Sequence, residues 1–314
     1  MNTMNARSDA DAIRERVLRA IEANRTPGYH FPGYFLGIRW SEVTPDSSRL
    51  WMPDGVHLRD EHGAVDRLAI TALADLALGT AARAADRTEE RLSTVHLQLQ
   101  FTGAVARGDI SANGRLLGHA TGTALEQRLT VATLYAGGEP ICYASGEFVR
   151  LATPAGVALG PLPWQRPMSD VSPADEATLS EAERAIVDAC DAHFAKSSDG
   201  IPFLRRFWLG RVDEHGDGGE LRVSAGLRIG NRVGHVQGGI SVGIAAQAAC
   251  AAAPRGMGLS NVSAWYVSPG HGSLRARAQV IHAGRNTALV RSVIEGDDGR
   301  TVLEAVTQHI ALAS

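Results

Sequence analysis

Aromatic residues make up only 5% of this 314-residue chain. A core with so few rings must be filled by small aliphatic side chains, alanine above all, and such side chains favour close helix packing. Cysteine is scarce as well. Cys142, Cys190 and Cys250 are odd in number, far apart, and form no C-x-x-C pair. That excludes a disulfide framework and a cysteine zinc site, so each reads as a small buried apolar residue. Neither sign of charge dominates: 31 Lys+Arg against 34 Asp+Glu give a net charge of -3. There is no basic footprint for nucleic acid and no polybasic segment for a membrane surface. The opening MNTMNARSDADAIRER lacks the apolar run of a secretory signal. The longest weakly polar stretch, residues 238–254, is built of Gly and Ala and falls short of the ~20 residues of a membrane span. It reads as a buried helix. The expectation is a soluble, cytoplasmic protein with no nucleic-acid or membrane partner.

The hydrophobic fraction is 44% and the charged fraction 21%, so the chain can build a full core. At roughly 100–200 residues per domain, two domains are expected. Residues 10–24 place Ile13, Val17, Leu18 and Ile21 on one helical face. Short strands are expected at 34–40 and 49–52, then an Ala/Leu-rich helix at 68–85. Residues 93–101 (STVHLQLQF) alternate strictly, with Val95, Leu97, Leu99 and Phe101 on one face, as a half-buried strand does. Further strands are expected at 109–117, 123–135 and 141–150. Residues 151–173 hold five of the thirteen prolines and read as an extended linker.

Beyond the linker the pattern recurs. An amphipathic helix at 178–194 is followed by strands at 207–212 and 220–227 and a small-residue helix at 239–253. Strands at 262–267, 274–282, 287–295 and 301–311 complete it. Leu50, Gly55, Gly63, Val65, Ala74 and Ala77 plus 171 give Leu221, Gly226, Gly234, Val236, Ala245 and Ala248. Thr123-Ala124-Leu125 match Thr287-Ala288-Leu289 at 164, which makes the second copy seven residues shorter between helix and strand. Two related α+β units therefore stand in tandem, 1–150 and 178–314, joined by a Pro-rich linker at 151–177. In each, one apolar helix followed by consecutive antiparallel strands implies a sheet wrapped round that helix.

Two features inside the helices suggest chemistry. Asp75 lies about two turns into an apolar helix, too deep to cap it. An unpartnered buried carboxylate costs several kcal/mol, and such groups cluster at functional sites. The plainer alternative is a solvent-facing carboxylate or one paired to an arginine. The second feature is NRVGHVQGG, residues 231–239, which runs into the second helix. Gly238 and Gly239 at a helix start give a ligand access to free N–H groups that stabilise negative charge. The alternative there is a tight loop entering a packed helix, although Asn231, His235 and Gln237 gather beside it. By the 171 offset Asp75 falls on Ala246, Gly238 and Gly239 on Arg67 and Leu68, and Asn231 on Asp60. Neither copy is complete alone. Packed as a pseudo-two-fold pair, they would form one composite site, with the mirror position dead unless it survives on Asp66 or Gln247.

This combination resembles the hotdog-fold superfamily, in particular the acyl-CoA thioesterases of the phenylacetyl-CoA type. Their motif runs Asn, six residues on a His-Gly-Gly, then an Asp, then a strand carrying Ser or Thr. Asn231 and Gln237-Gly238-Gly239 match its first part, with Gln237 where the family has His. Residues 72–79, ALADLALG, match the helix with Asp75 as the acid, and Thr94 matches the strand position. The resemblance covers residues 34–150 and 207–311. It implies two hotdog units packed as a pseudo-dimer and hydrolysis of an acyl-CoA without cofactor or metal. Asp75, Thr94, Gln237 and Gly238 would be catalytic, with Asp75 as base or attacking carboxylate; Asn231, His235 and Gly239 would bind substrate. Because hotdog proteins pair, a homodimer of the double chain is a further expectation. A hotdog enoyl-CoA hydratase or dehydratase using an Asp with His235, and a non-catalytic acyl-CoA-binding protein, are the alternatives. Arg83, Arg87 and Arg91 are available for coenzyme A phosphates but read first as a solvated loop. His96 and His119 read as surface or satisfied histidines, His57 and His62 fall on the side expected to be degenerate, and a metal on His235, Gln237 and His271 is discounted because no carboxylate stands at ligand spacing.

Overall fold

The structure is a computed structural model that describes residues 3–83, 91–120, 122, 125–152, 160–165, 170–195, 200–210, 212–215 and 218–312. Helix α1 spans Thr3–Asn24, and Ile13, Val17 and Ile21 of its expected face are buried. A short helix α2 (Phe31–Phe35) follows, then strands β1 (Arg39–Thr44) and β2 (Ser47–Met52). Helix α3 (Arg67–Arg83) precedes β3 (Arg91–Phe101), β4 (Ile110–Ala120), β5 (Gln127–Ala136) and β6 (Glu139–Leu151). The second set comprises α4 (Glu181–Ala195), α5 (Phe203–Leu209), β7 (Val212–His215), β8 (Gly218–Ser224), α6 (Gly238–Ala252), β9 (Met257–Tyr266), β10 (Ser273–Ala283), β11 (Thr287–Gly296) and β12 (Thr301–Ala311).

The twelve strands form one antiparallel sheet in the order β1-β2-β4-β5-β6-β3-β9-β12-β11-β10-β8-β7. The order is palindromic about the β3–β9 seam, as two copies of one unit related by a pseudo-two-fold axis require. Each half curls round its own helix, and α3 and α6 pack against each other inside. The fold is therefore α+β, two hotdog-type units joined edge to edge. The 171 offset recurs in the backbone. The 3-10 turns Val56–Leu58 and Leu227–Ile229, the bridges Arg59–Val65 and Gly230–Val236, and the positive-φ residues Gly63 and Gly234 are all 171 apart. So are the starts of α3 and α6.

Helix α3 is buried on every side, from Leu68 and Ile70 to Leu73, Ala77 and Leu78, with mostly alanine between. A helix enclosed in this way has no polar face to lose, and each buried Leu or Ile contributes roughly 1.5–3 kcal/mol. Gly239 and Gly243, one turn apart on α6, face α3 at Thr71, Ala72 and Leu68. A side chain at Gly239 would overlap the Thr71 carbonyl oxygen, so these glycines permit backbone-to-backbone contact of the two helices.

Three expectations need correction. Residues 34–40 are not one strand: Phe31–Phe35 is helical, and the strand begins at Arg39. Residues 207–209 likewise end α5 and are not strand. Both segments are short apolar runs, whose periodicity cannot separate strand from buried helix. Pro32 in the first turn of α2 and Pro202 before α5 were the available start signals. Phe31, Phe35, Phe203 and Phe207 of the two helices form one ring cluster with centroids 4.9–6.2 Å apart. Last, the offset falls from 171 at the helix starts to 166 at the starts of β3 and β9 and 163 at those of β4 and β10. It reaches 160 at the starts of β5 and β11, so the shortening is spread over three connections. Thr123 and Ala124 of the quoted match lie outside the described residues.

Of the linker's described residues, 151–152, 160–165 and 170–177, Pro163–Gln165 form one 3-10 turn and a second spans Glu176–Thr178. Among the described residues no helix is long and apolar enough to cross a membrane.

Candidate active site

Asp75 sits mid-helix on α3, 8% exposed. Three donors converge on its carboxylate. Thr94 Oγ1, on β3, donates to Oδ1 at 3.2 Å. Gln237 Nε2, at the start of α6, donates to Oδ2 at 2.6 Å. The Gly239 backbone N–H also bonds the carboxylate. Burial pushes the Asp75 carboxyl up to about 6, against the opposing pull of these three donors. At neutral pH the group is ionised yet considerably more basic than an exposed aspartate. It is neither solvent-facing nor paired to an arginine.

Gln237 has two tasks. Its Oε1 accepts from Ile240 N at 2.8 Å as the N-cap of α6, which leaves its amide N–H for Asp75. The two glycines after it diverge, because successive helical residues point about 100° apart. Gly238 lines the cavity at Asp75, and a Cβ there would stand 2.9 Å from Asp75 Oδ2. Gly239 turns to α3, and its N–H goes to Asp75. The expectation that both N–H groups await a ligand is corrected to one, Gly238, whose N–H is an orphan donor of the helix's first turn.

Asn231 is spent locally: its Oδ1 accepts from Val233 N and His235 N at 3.0 and 3.1 Å, closing the loop before α6. It still lines the cavity, as does His235. Burial first, then the charges of Arg91 and His271, lower the His235 pKa, so its imidazole is neutral at neutral pH. His57 is buried and accepts from Arg16 Nε at 3.0 Å; His96 bonds Ser263 Oγ at 2.8 Å and His119 bonds Glu126 at 2.8 Å. Arg83 and Arg91 line the cavity, while Arg87 lies outside the described residues. Among the described residues no group of three or more His, Cys, Asp or Glu could hold a metal ion. Cys142, Cys190 and Cys250 are free thiols.

The cavity measures about 420 Å³ and takes walls from α3, β3, β6, the linker and the loop before α6. Several of its residues carried no sequence signal. Tyr266, at the end of β9, donates its hydroxyl to the Gly238 carbonyl at 2.6 Å and so pins the Gly-Gly turn. Trp40 and Trp164 come from β1 and the linker, far apart in the chain. The register of β3 slips between Thr94 and His96 where it meets β6, a bulge beside the site of the kind that re-aims side chains.

The mirror position is built differently. Asp66 stands 171 residues before Gln237 and also caps its helix, accepting from Leu68 N at 2.9 Å. Its other oxygen is held by Arg205 Nε at 2.7 Å, and Arg205 also bonds Glu61 at 2.9 Å. Ala246 replaces the acid, and the Arg67 guanidinium lies over the Phe101 ring at 5.6 Å. An ion pair therefore stands where the other side has Gln237, an alanine where it has the carboxylate, and an arginine where it has the bare Gly238.

No protein-family model and no curated protein matches the sequence. Solved structures do match over nearly the whole length. One is a protein of Lactobacillus plantarum assigned as an oleoyl thioesterase, with 13% identity, 87% of this chain and 99% of that chain covered, and TM-score 0.52. Another is the tesB protein of Mycobacterium avium subsp. paratuberculosis (12% identity, 88% and 96%, TM-score 0.52). A third is a conserved hot dog fold protein of unknown function from Alicyclobacillus acidocaldarius (10% identity, 88% and 96%, TM-score 0.51). Likeness at such identities speaks to fold, and together with the palindromic sheet and its two enclosed helices it shows that this chain has a double hotdog fold.

Proposed function

We propose that this chain is an acyl-CoA thioesterase that hydrolyses its substrate to a free acid and coenzyme A at one site between the two units. The observation that carries the reading is Asp75: buried, held by donors from both units, shifted up to about 6, and set beside the first turn of α6 on a cavity. The thioester carbonyl oxygen accepts from the Gly238 N–H, where the helix dipole stabilises the charge that develops on it. Asp75 takes a proton from water as the water oxygen attacks the carbonyl carbon. The C–S bond breaks, and the thiol proton comes back from Asp75. A thiol, with a pKa near ~8.5, leaves without a strong acid, so a neutral His235 is no obstacle. Attack by the carboxylate itself, followed by hydrolysis of the anhydride, is the other route open to the same residue. Thr94 and Gln237 orient Asp75. Arg91, whose charge is felt by His235, supplies positive charge on the cavity wall for the phosphates of the carrier.

The hydratase alternative requires an Asp–His pair poised over the acyl chain, and no hydrogen bond joins Asp75 to His235. A thiol-release assay over a panel of acyl-CoAs separates the readings. Hydrolysis releases thiol, hydration only bleaches the enoyl absorbance, and pure binding does neither. Absence of thiol release from every member of the panel overturns the proposal.

A further inference from the structure

We propose that the linker supplies the end wall of the acyl pocket, and that Trp164 on it, packed against Trp40, sets the length of acyl chain accepted. The inference rests on the thioesterase reading of the cavity. Along α3, Asp75, Gly79 and Arg83 are one turn apart and all line the cavity, so it follows the helix away from the carboxylate. Gly79 leaves that path open: a Cβ there would meet only Phe148, at 3.6 Å. Trp40 closes it. Its Nε1 donates to Thr80 Oγ1 at 3.0 Å, and Thr80 lies about 7.5 Å along the helix axis from Asp75 at 1.5 Å per residue. The Trp164 ring packs on Trp40 with centroids 6.2 Å apart and planes tilted by 44°.

Trp164 is held there by both units. Gly160 packs so closely on Pro27 and Gly28 that a side chain would stand 2.6 Å from the Pro27 carbonyl carbon, and Arg232 of the second unit donates to the Gly160 carbonyl. The following turn is tied by reciprocal bonds, Gln165 N to Leu162 O and Leu162 N to Gln165 Oε1, both 2.9 Å. A tryptophan fixed in this way and facing a cavity is a wall. Its apolar surface, with Leu162 and Trp40, suits an uncharged hydrocarbon end, and the ~7.5 Å of helix axis between Asp75 and the Thr80 that holds Trp40 suits a short or medium chain.

The test is kcat/KM over butyryl-, hexanoyl-, octanoyl-, decanoyl-, dodecanoyl- and palmitoyl-CoA, with the same thioesters titrated by calorimetry into the Asp75→Asn chain. The wild-type chain should peak at a short or medium chain and fall beyond it. Trp164→Ala should move the peak to longer chains, each methylene newly buried adding about fourfold (~0.8 kcal/mol), for at least a tenfold rise in the long-to-short ratio. Trp164→Phe should keep most of the wild-type preference. Gly79→Val, which narrows the path, should move the peak the other way. Binding to Asp75→Asn should show the same break in length and the same displacement by Trp164→Ala, whether or not the parent hydrolyses thioesters. Thioesters that bind or turn over with a length preference untouched by Trp164→Ala and Gly79→Val would overturn the wall while leaving the thioesterase reading intact. No binding by any thioester would overturn both.

Discussion

Gln237 Nε2 donates to Asp75 Oδ2 at 2.6 Å across 162 residues of chain. The same Gln237 caps α6 through its other amide atom. The start of one unit's helix and the acid of the other unit are thus fixed by a single side chain. A shift of α6 along its axis would be felt directly at the carboxylate.

Asp75→Asn should lower turnover by about 10²–10⁴, the size expected for a lost general base, while the circular dichroism spectrum is kept. In the wild type, kcat/KM should rise with pH through about 6 and then level off, because Asp75 must be ionised to accept a proton. Gln237→Glu places a second carboxylate against the first and should move that rise to higher pH. A flat profile between pH 5 and 7 would remove Asp75 from the role.

The same ionisation affects stability. The folded-state pKa of Asp75 is raised from 3.8 to about 6, so between these values the native state binds more proton than the unfolded state. Its contribution to stability therefore falls as pH rises through that window, by up to ~3 kcal/mol. Asp75→Asn removes this dependence. Denaturant titrations should show the variant gaining on the wild type from pH 4 to pH 7; a difference constant with pH would contradict the burial argument.

The adjacent glycines should respond differently to alanine. Gly238→Ala puts a methyl group against the Asp75 carboxylate, so activity should drop at least tenfold with little change in melting temperature. Gly239→Ala drives a methyl into the backbone of α3 at Thr71 and Ala72, where nothing can swing away. It should cost about 1–3 kcal/mol or more in stability, the range for overpacking. Thermal melts and initial rates on the two variants check the contrast.

One ligand should bind per chain. Ala246 cannot take a proton, and Asp66 is engaged by Arg205 and by its own helix start. Titration with a non-hydrolysable acyl-CoA analogue should give a stoichiometry of one, abolished by a bulky residue at 238. Asp66→Asn should leave both binding and turnover in place and lower stability by about 1–3 kcal/mol. Two equivalent ligands per chain would show that the mirror position works as well.

The sequence by itself determined the duplication, the two apolar helices and most strands, because periodicity and the 171 offset are local or additive properties of the chain. It singled out Asp75 for the same reason: a carboxylate among alanines and leucines is conspicuous on one line of text. It failed where the deciding information lay elsewhere in space. Short apolar runs at 31–35 and 203–209 carry no period long enough to choose helix over strand, and the packing of four phenylalanines chose it. Gly238 and Gly239 are identical on paper, yet the approach of α3 assigns one to the cavity and the other to the helix contact. Tyr266, Trp40 and Trp164 lie on three separate segments, and only the β3–β9 seam and the clamped linker bring them to one cavity. Tertiary structure alone could decide these, because a cavity lined by both units is a property of the distance between residues far apart in the chain.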